Sequence, residues 1–430
     1  MLGWFLERGF LVVLFLYLMG AAASLLYADL DRDAYLALQG SLHGPLAVIQ
    51  VCLFLVAGLL IIPRWRRVFT AAMRAWPLLV LAGLQVMSMT WSIHPWLTAR
   101  KDTAEIIMLF IGIYLGERYT TAALASKLAQ ILCFTMIMTV CLYFVAPHFV
   151  LDASQNDALK GLSQTKNGFG FHIGLTVALL LVVQFARHDW LRYVFLALAL
   201  VMLLMSHSMT SIASAGVILM TLPFWLVARL APRQRLAAYL IAAVMIVLVG
   251  YCCVLFSNDL LALMGKDSTL TGRTQVWQQV LVAISHHPIL GYGYGSFWTG
   301  LSGESLDVLI VAGWLVPAAH NAYLDMYLAL GIPGSVATIA ILWIVFLRAI
   351  KYIRSEGGWP GLWPVVCLMF ILFHGIGESE FICDASFATC LFTALYTSLA
   401  IESPHVGSGT VHASTWGPDQ TALPAPLVSG

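Results

Sequence analysis

The sequence predicts an all-α integral membrane protein with about 12 transmembrane helices and one large loop on the outer face. Of the 430 residues, 60% are hydrophobic and only 10% are charged, whereas charged residues make up about a quarter of a soluble domain. Apolar runs of about 20 residues, the length that crosses a bilayer, recur along the chain as far as residue 401. The formal net charge is +1, so no basic field indicates a nucleic-acid partner.

Twelve apolar runs account for the predicted membrane crossings, because each has the composition of a spanning helix. The first follows Glu7 and Arg8 and is too long for the core of a signal peptide, so we predict an uncleaved helix. The tenth contains GIPG at 331–334, and these residues predict a bend in the helix. The predicted spans are residues 9–28, 44–62, 76–91, 103–119, 127–147, 168–186, 190–207, 209–229, 236–257, 321–347, 359–377 and 383–401.

The basic residues predict the side of the membrane that each loop faces, because cytoplasmic loops are enriched in Lys and Arg. With the N-terminus in the cytoplasm, most of the 22 Lys and Arg residues fall on the inner side. This predicts a multi-pass protein of the bacterial inner membrane with both termini in the cytoplasm. Residues 1–401 form the predicted membrane domain, and the Pro-, Ser- and Gly-rich tail 402–430 is predicted to be disordered.

The longest predicted loop, residues 258–320, lies on the outer face between spans nine and ten. Apolar residues recur in it at helical spacing after Arg273, and His286-His287-Pro288 ends that helix. The segment GYGYG (291–295) follows, and PAAHNAY (317–323) closes the loop. A loop of this length with its own helix is usually functional. Its apolar stripe is compatible with packing on the helical bundle or with lying along the membrane surface.

Four basic residues stand on the outer side, where such residues are disfavoured, and near helix N-termini, where the dipole also opposes them. They are Arg100, Lys101, Lys166 and Arg273. Cations stacked on the positive ends of helices predict a site for a polyanion, and the planar fork of arginine suits phosphate. The candidates at an outer membrane face are a lipid headgroup and a lipid-linked diphosphate. The alternative for each residue is that it pairs with a local acid, such as Asp102 or Asp267, or simply faces water.

His320 is the candidate catalytic base, because its ordinary pKa of about 6.5 allows proton transfer near neutrality. It lies at the predicted membrane boundary, next to Asn321. A lone histidine is more often structural, so the alternative is a hydrogen-bonding role. Glu378 and Glu380 could orient a base or bind sugar hydroxyls, although an acidic outer loop is the simpler account. The eight cysteines show neither metal spacing nor a disulfide framework, and no metal site is predicted.

Three segments together resemble the O-antigen ligase and polymerase superfamily. They are LTGRTQVWQQVLVAISHHPILGYGYGSF (270–297), AHNAYLDMYLALGIPG (319–334) and SQTKNGFG (163–170). The resemblance implies a glycosyltransferase of the second GT-C-type class. It also implies an undecaprenyl-diphosphate-linked glycan as donor, inversion at the transferred sugar, and no metal or other cofactor. The implied partners are an acceptor glycan or lipid A-core, membrane lipids, a flippase and a chain-length regulator.

The resemblance also assigns roles to residues. His320 is implied to be the base, while Arg273, Lys166 and Arg100 hold the diphosphate. Further substrate contacts are expected at the neighbouring motif positions, namely Lys101, Asn167, Asn321, Gly291, Tyr292 and Gly293. The glycines would let the backbone approach phosphates or sugar, with Tyr292 offering a ring face. A plain tight turn explains the same glycines equally well.

The whole motif series resembles the exopolysaccharide-polymerase branch somewhat more than the ligases, so polymerisation of repeat units is the favoured activity. Transfer of glycan to lipid A-core by a ligase is the alternative. Protein glycosylation is weakened because no large C-terminal periplasmic domain follows the last span. A transporter of lipid-linked glycan would also need outer cations, but it predicts internal repeats and charged residues at the membrane midplane, which the sequence does not show.

Overall fold

The structure, a computed structural model, consists mostly of helices. It describes residues 2–27, 44–185, 188–227, 272–299, 302–314, 316–356, 358–381 and 385–402. The predicted ninth span 236–257, the start of the outer loop and all but the first residue of the predicted tail lie outside the described residues.

Helices follow the apolar runs of the sequence, as their hydropathy predicts. In chain order they are α1 (Leu2–Leu18), α2 (Ala21–Leu26), α3 (Pro45–Ile61), α4 (Trp65–Arg74), α5 (Trp76–Met87), α6 (Pro95–Arg118), α7 (Thr121–Val145), α8 (Lys166–Val182), α9 (Asp189–Met205), α10 (Met209–Val227), α11 (Arg273–His286), α12 (Glu304–Ala312), α13 (Ala322–Glu356), α14 (Trp363–His374) and α15 (Phe387–Glu402).

A small antiparallel ribbon is the exception to the predicted all-helical fold. Strands β1 (Leu151–Asp152) and β2 (Ala158–Leu159) pair between α7 and α8, with Leu151 opposite Leu159. Asn156 and Asp157 adopt positive φ in the connection, a conformation that Asn and Asp tolerate better than most residues. The sequence analysis did not predict this ribbon.

Three helical stretches are long and apolar enough to cross a membrane, namely Pro45–Arg74, Thr121–Val145 and Ala322–Glu356. Several shorter apolar helices lie beside them, including α8, α14 and α15. Described helices coincide with all the predicted spans except the ninth, although the first is divided at Gly20, which has a φ of +92°. The all-helical membrane architecture is therefore confirmed in its coarse form, whereas the count of 12 crossings and the GT-C-type topology stay predictions.

The packing of α6 along α15 depends on two glycines spaced four residues apart. A Cβ atom on Gly112 would lie 2.6 Å from Cβ of Thr393, and one on Gly116 would lie 2.5 Å from the carbonyl oxygen of Ala394. Such small-residue pairs allow membrane helices to approach closely enough for van der Waals packing to hold them. This contact fixes α15 and, with it, one side of the bundle beneath the outer loop.

The predicted bend in α13 is confirmed at Gly331, where φ is +59° and ψ is −146°. The break exposes backbone carbonyl groups, and the outer loop supplies their partners. The amides of Tyr292 and Gly293 donate to the carbonyl oxygens of Leu328 (2.7 Å) and Ala329 (3.0 Å). Because buried backbone groups must be paired, the GYGYG segment and the broken helix position each other.

The outer loop has a small core of its own. Helix α11 buries Val276, Val280 and Ala283 against residues that include Tyr292 and Val308. It packs on α12 and α13, so packing on the protein accounts for the buried part of its apolar stripe.

We expect Gly116→Ala to destabilise the protein, because the added methyl group would overlap the backbone of α15. Overpacking of this kind costs roughly 1–3 kcal/mol, so the thermal midpoint in detergent should fall by several degrees. Gly83→Ala is the matched control, since nothing lies within 4 Å of the position of its Cβ. Equal thermal midpoints for the two variants would contradict the close-packing argument.

Candidate functional site

A single buried carboxylate, Glu378, gathers the polar side chains of the candidate site. Its Oε1 accepts a hydrogen bond from Nδ2 of Asn167 (2.7 Å) and one from Nη2 of Arg273. Its Oε2 lies 2.9 Å from Nδ1 of His320. Glu378 is only 5% exposed, and a buried charge is tolerated only when it is paired and hydrogen-bonded. We call these four residues the Glu378 cluster.

Glu378 is positioned by the turn that ends α14. The amides of Gly377 and Glu378 both donate to the carbonyl oxygen of His374 at 3.0 Å. A side chain at position 377 would collide with its neighbours, because a Cβ on Gly377 would lie 2.7 Å from Cγ2 of Thr210 and 3.1 Å from Nη1 of Arg273. The turn therefore brings its own backbone and the Glu378 carboxylate directly against the guanidinium.

Arg273 is the first residue of α11, and its guanidinium bridges two other elements. Nη1 donates to Oγ1 of Thr210 in α10 at 3.0 Å, while Nη2 bonds Glu378. The preceding residue, Gly272, has a φ of +82°, which favours glycine. The helix dipole opposes a cation at this place, and the Glu378 carboxylate offsets that cost.

Asn167 comes from the first turn of α8. The cap of this helix is Thr165, whose hydroxyl accepts from the amide of Gly168 at 3.1 Å. Lys166 is the first residue of the same helix and is half-buried. The cap therefore fixes the start of α8, and two predicted site residues, Lys166 and Asn167, lie in its first turn.

His320 sits in a left-handed backbone conformation with a φ of +49°. The residue before it is held firmly, because the Ala319 amide donates to both carboxylate oxygens of Asp325 at 3.1 Å. Nε1 of Trp277 donates to the Ala319 carbonyl oxygen at 2.9 Å. A strained backbone that its surroundings over-determine is common at functional sites.

Asn321, the residue after His320, caps helix α13. Its Oδ1 accepts from the amides of Tyr323 (3.0 Å) and Leu324 (3.1 Å). Its own amide donates to Oγ of Ser379 at 3.0 Å, beside Glu378. Asn321 therefore joins the start of α13 to the Glu378 turn through its side chain and its backbone amide together, and its predicted role as a substrate contact stays a prediction.

The contact between His320 and Glu378 determines how the imidazole can work. A carboxylate beside Nδ1 favours the tautomer with its proton on Nδ1, which leaves a lone pair on Nε2. The His320 side chain is 14% exposed, so its ring is accessible in part. The ring of Trp314 lies beside it, with centroids 5.7 Å apart.

The Glu378 carboxyl group stays ionised over almost the whole pH range. Burial by itself raises its pKa, but the hydrogen bond from His320 and the charges of His320 and Arg273 outweigh burial and lower the pKa to about 2. The cluster thus holds a negative charge between the Arg273 guanidinium and the His320 imidazole.

The structure brings three of the predicted site residues together, namely Arg273, Asn167 and His320. Arg100 and Lys101 are half-buried in the second turn of α6, where Nζ of Lys101 donates to the carbonyl oxygen of Gly295 at 2.8 Å. Lys101 is thus bonded to the GYGYG segment. The predicted anion-binding roles of Arg100, Lys101 and Lys166 stay predictions.

The GYGYG residues contact protein, in agreement with the tight-turn alternative. A Cβ on Gly291 (φ +65°) would lie 2.5 Å from the Leu328 carbonyl oxygen, and one on Gly293 (φ +95°) would lie 2.7 Å from Cα of Ser92. The Tyr292 side chain is buried, and its hydroxyl lies 2.7 Å from the Ala283 carbonyl oxygen. The contacts described for Gly291, Tyr292 and Gly293 explain the shape of the loop, whereas substrate contact there stays a prediction.

Glu378 is the residue whose importance sequence reasoning underestimated. The available signal was an acidic residue directly after an apolar span, on the same side as the unexplained cations. The sequence analysis favoured an acidic outer loop, because nothing in the chain order places residue 378 beside residues 167, 273 and 320.

Comparison with known proteins finds similarity over part of the chain. A family model described as O-antigen ligase matches residues 194–339, the range that holds Arg273, the GYGYG segment and His320. Over these residues the chain is similar to the O-antigen ligase family. Asn167 and Glu378 lie outside the matched range.

One curated protein is also similar to part of the chain. The chain is 29% identical over 228 residues to the exopolysaccharide production protein ExoQ of Rhizobium meliloti (strain 1021). The similarity covers 49% of this chain and 52% of that protein, so the chain spans about half the length of this relative. The family match and the apolar helices show a membrane protein.

We expect Glu378→Gln to change the acid stability of the protein. Because folding lowers the pKa of Glu378 from 4.5 to about 2, the ionised carboxylate stabilises the fold above pH 4.5. This contribution, on the order of 3 kcal/mol, is lost as the pH falls towards 2. The variant should be less stable at pH 7 and should lose less stability between pH 4.5 and 2.

The measurement is the thermal midpoint in detergent as a function of pH. Glu356→Gln, at the exposed C-terminal end of α13, controls for the removal of one carboxylate and should keep the wild-type profile. A Glu378→Gln profile parallel to that of the wild type would show that the cluster does not stabilise the fold.

Proposed function

We propose that this protein is an inverting, metal-independent glycosyltransferase of the O-antigen ligase and polymerase type. Its donor is an undecaprenyl-diphosphate-linked glycan on the periplasmic face, and its reaction joins polysaccharide repeat units. The observation that carries the proposal is the contact of His320 and Arg273 with the same buried carboxylate. It places a candidate base beside a candidate phosphate-binding cation.

His320 is proposed to act as the general base. Nε2 takes the proton of the acceptor hydroxyl, and the oxygen attacks the anomeric carbon of the donor sugar from the face opposite the diphosphate. The bond from that carbon to the diphosphate oxygen breaks, and its electron pair leaves with undecaprenyl diphosphate. Glu378 stabilises the imidazolium that forms, as the carboxylate does in a nucleophile–histidine–acid triad.

Arg273 is proposed to bind the departing diphosphate. A guanidinium carries five N–H donors, and its described contacts with Thr210 and Glu378 use two of them. The remaining N–H groups are proposed to donate hydrogen bonds to phosphate oxygens. Lys166 and Arg100 are proposed to add positive charge, which stabilises the charge that grows on the leaving group.

The relative favours polymerisation over ligation, because its name refers to exopolysaccharide production. Ligation to lipid A-core is the second candidate, since the matching family model is described as O-antigen ligase. Transport of a lipid-linked glycan is more distant. The proposed setting is the bacterial inner membrane, with both termini in the cytoplasm and with a flippase and a chain-length regulator as partners.

His320→Ala should abolish glycan transfer by the purified protein. The assay supplies undecaprenyl-diphosphate-linked repeat units in nanodiscs, without metal or nucleotide, and separates products by size. A ladder of lengthening lipid-linked glycans from the wild type identifies a polymerase. Transfer that requires added lipid A-core identifies a ligase.

His286→Ala is the matched control, because His286 is also a loop histidine beside a carboxylate, with Nδ1 3.1 Å from Oε1 of Glu304. It should keep the wild-type rate. Full activity of a folded His320→Ala protein would remove His320 from the proposed mechanism, and a wild type that is inactive with both acceptors would favour transport.

Arg273→Lys should transfer glycan at least tenfold more slowly, since the planar fork that reaches two acceptors at once is lost. Lysine keeps the positive charge, so a slower rate would show that the planar shape of the guanidinium is needed. Thr210→Val is informative beside it, because it removes the second described acceptor of Arg273 while leaving the guanidinium intact. A wild-type rate for Arg273→Lys would contradict the proposed phosphate contact.

A further inference from the structure

Helix α4 carries an exposed apolar stripe that no described part of the protein covers. Trp65, Phe69, Met73 and Trp76, the last at the start of α5, are each more than half exposed. Their spacing of three or four residues places them on one side of the helix. Large exposed apolar stripes of this kind mark interaction surfaces.

The buried side of α4 determines how the helix lies on the protein. Val68, Ala71 and Ala72 are buried, and α4 packs on both α6 and α15. Nη1 of Arg64, just before the helix, lies 3.3 Å from Oε2 of Glu117, near the C-terminal end of α6. The helix is therefore attached across the ends of two spanning helices, at one face of the membrane domain.

A third side of α4 is basic. Arg66, Arg67 and Arg74 are exposed, and at about 100° per residue they lie on the side of the helix between the apolar stripe and the buried side. The order around the helix is buried, apolar and basic. This order suits a helix that lies in a membrane interface, with its apolar side towards acyl chains and its cations among headgroups.

We propose that α4 is an interfacial helix that binds anionic phospholipid headgroups. The apolar stripe continues the exposed apolar surface of α3, where Leu55 and Leu59 are also more than half exposed. Tryptophan at both ends of the stripe fits the membrane–water boundary, where this residue is enriched. Arginines beside the stripe complement negative headgroups.

This inference is independent of the proposed catalytic mechanism and rests on the chain being a membrane protein. The proposed orientation assigns α4 to the cytoplasmic leaflet. Helix α4 connects α3 to α5 and lies at the C-terminal end of α6. The GYGYG segment contacts the N-terminal part of α6. The proposed orientation therefore places the Glu378 cluster at the opposite face of the membrane.

The test uses the full-length protein in nanodiscs of phosphatidylcholine mixed with phosphatidylglycerol. One lipid at a time carries a photoactivatable diazirine, and cross-linked peptides are mapped by mass spectrometry. The quantity measured is the enrichment of phosphatidylglycerol over phosphatidylcholine on the peptide that contains residues 65–76. The wild-type protein should show clear enrichment.

Arg66→Gln together with Arg67→Gln should lower this enrichment by about fivefold for each arginine removed. Both side chains are exposed, so the fold should be retained. Lys351→Gln with Arg354→Gln is the matched control, since it removes two exposed cations from the end of α13 and should leave enrichment at 65–76 unchanged. Phe69→Ser with Met73→Ser should reduce cross-linking to both lipids.

Unchanged enrichment in the Arg66→Gln and Arg67→Gln protein would overturn the proposal. So would cross-links that join this segment to a second copy of the chain instead of to lipid. Because α4 takes no part in the proposed chemistry, glycan transfer by these variants separates a failure of this inference from a failure of the proposed function.

Discussion

The buried carboxylate of Glu378 is the constraint on which the outer face of this protein depends. It accepts hydrogen bonds from residues of α8 and α11 and contacts the histidine before α13, while its own backbone belongs to the end of α14. Since an unpaired buried carboxylate would cost several kcal/mol, these four elements are held together by one charge. Loss of any partner would leave that charge poorly compensated.

The same carboxylate explains a feature that looks unfavourable in isolation. A cation at the N-terminus of a helix opposes the dipole, yet Arg273 begins α11. Glu378 offsets this cost within the protein, so the arginine can be held in place before any ligand arrives. Preorganised charge of this kind is what electrostatic catalysis requires, which is why the arrangement supports the proposed chemistry.

Backbone conformations at glycine connect this cluster to the membrane domain. The break of α13 at Gly331 leaves carbonyl groups that the GYGYG amides satisfy. The glycines at 112 and 116 let α6 approach α15 closely. The outer loop is thus attached to α13 through backbone hydrogen bonds and to α6 through the side chain of Lys101, and these contacts help to position His320 and Arg273.

The amino-acid sequence by itself determined the membrane class, the positions of the described helices that coincide with predicted spans and of α11, the bend at GIPG and the motif residues Arg273, Asn167 and His320. These follow from hydropathy, from local backbone preferences and from short motifs, all of which are properties of neighbouring residues. Only the tertiary structure decided that Glu378 joins those residues, that Asn321 caps a helix, and that the GYGYG glycines pack against the protein. Such contacts join positions separated by up to 211 residues in the chain, and no local pattern encodes which distant partners a buried charge will find.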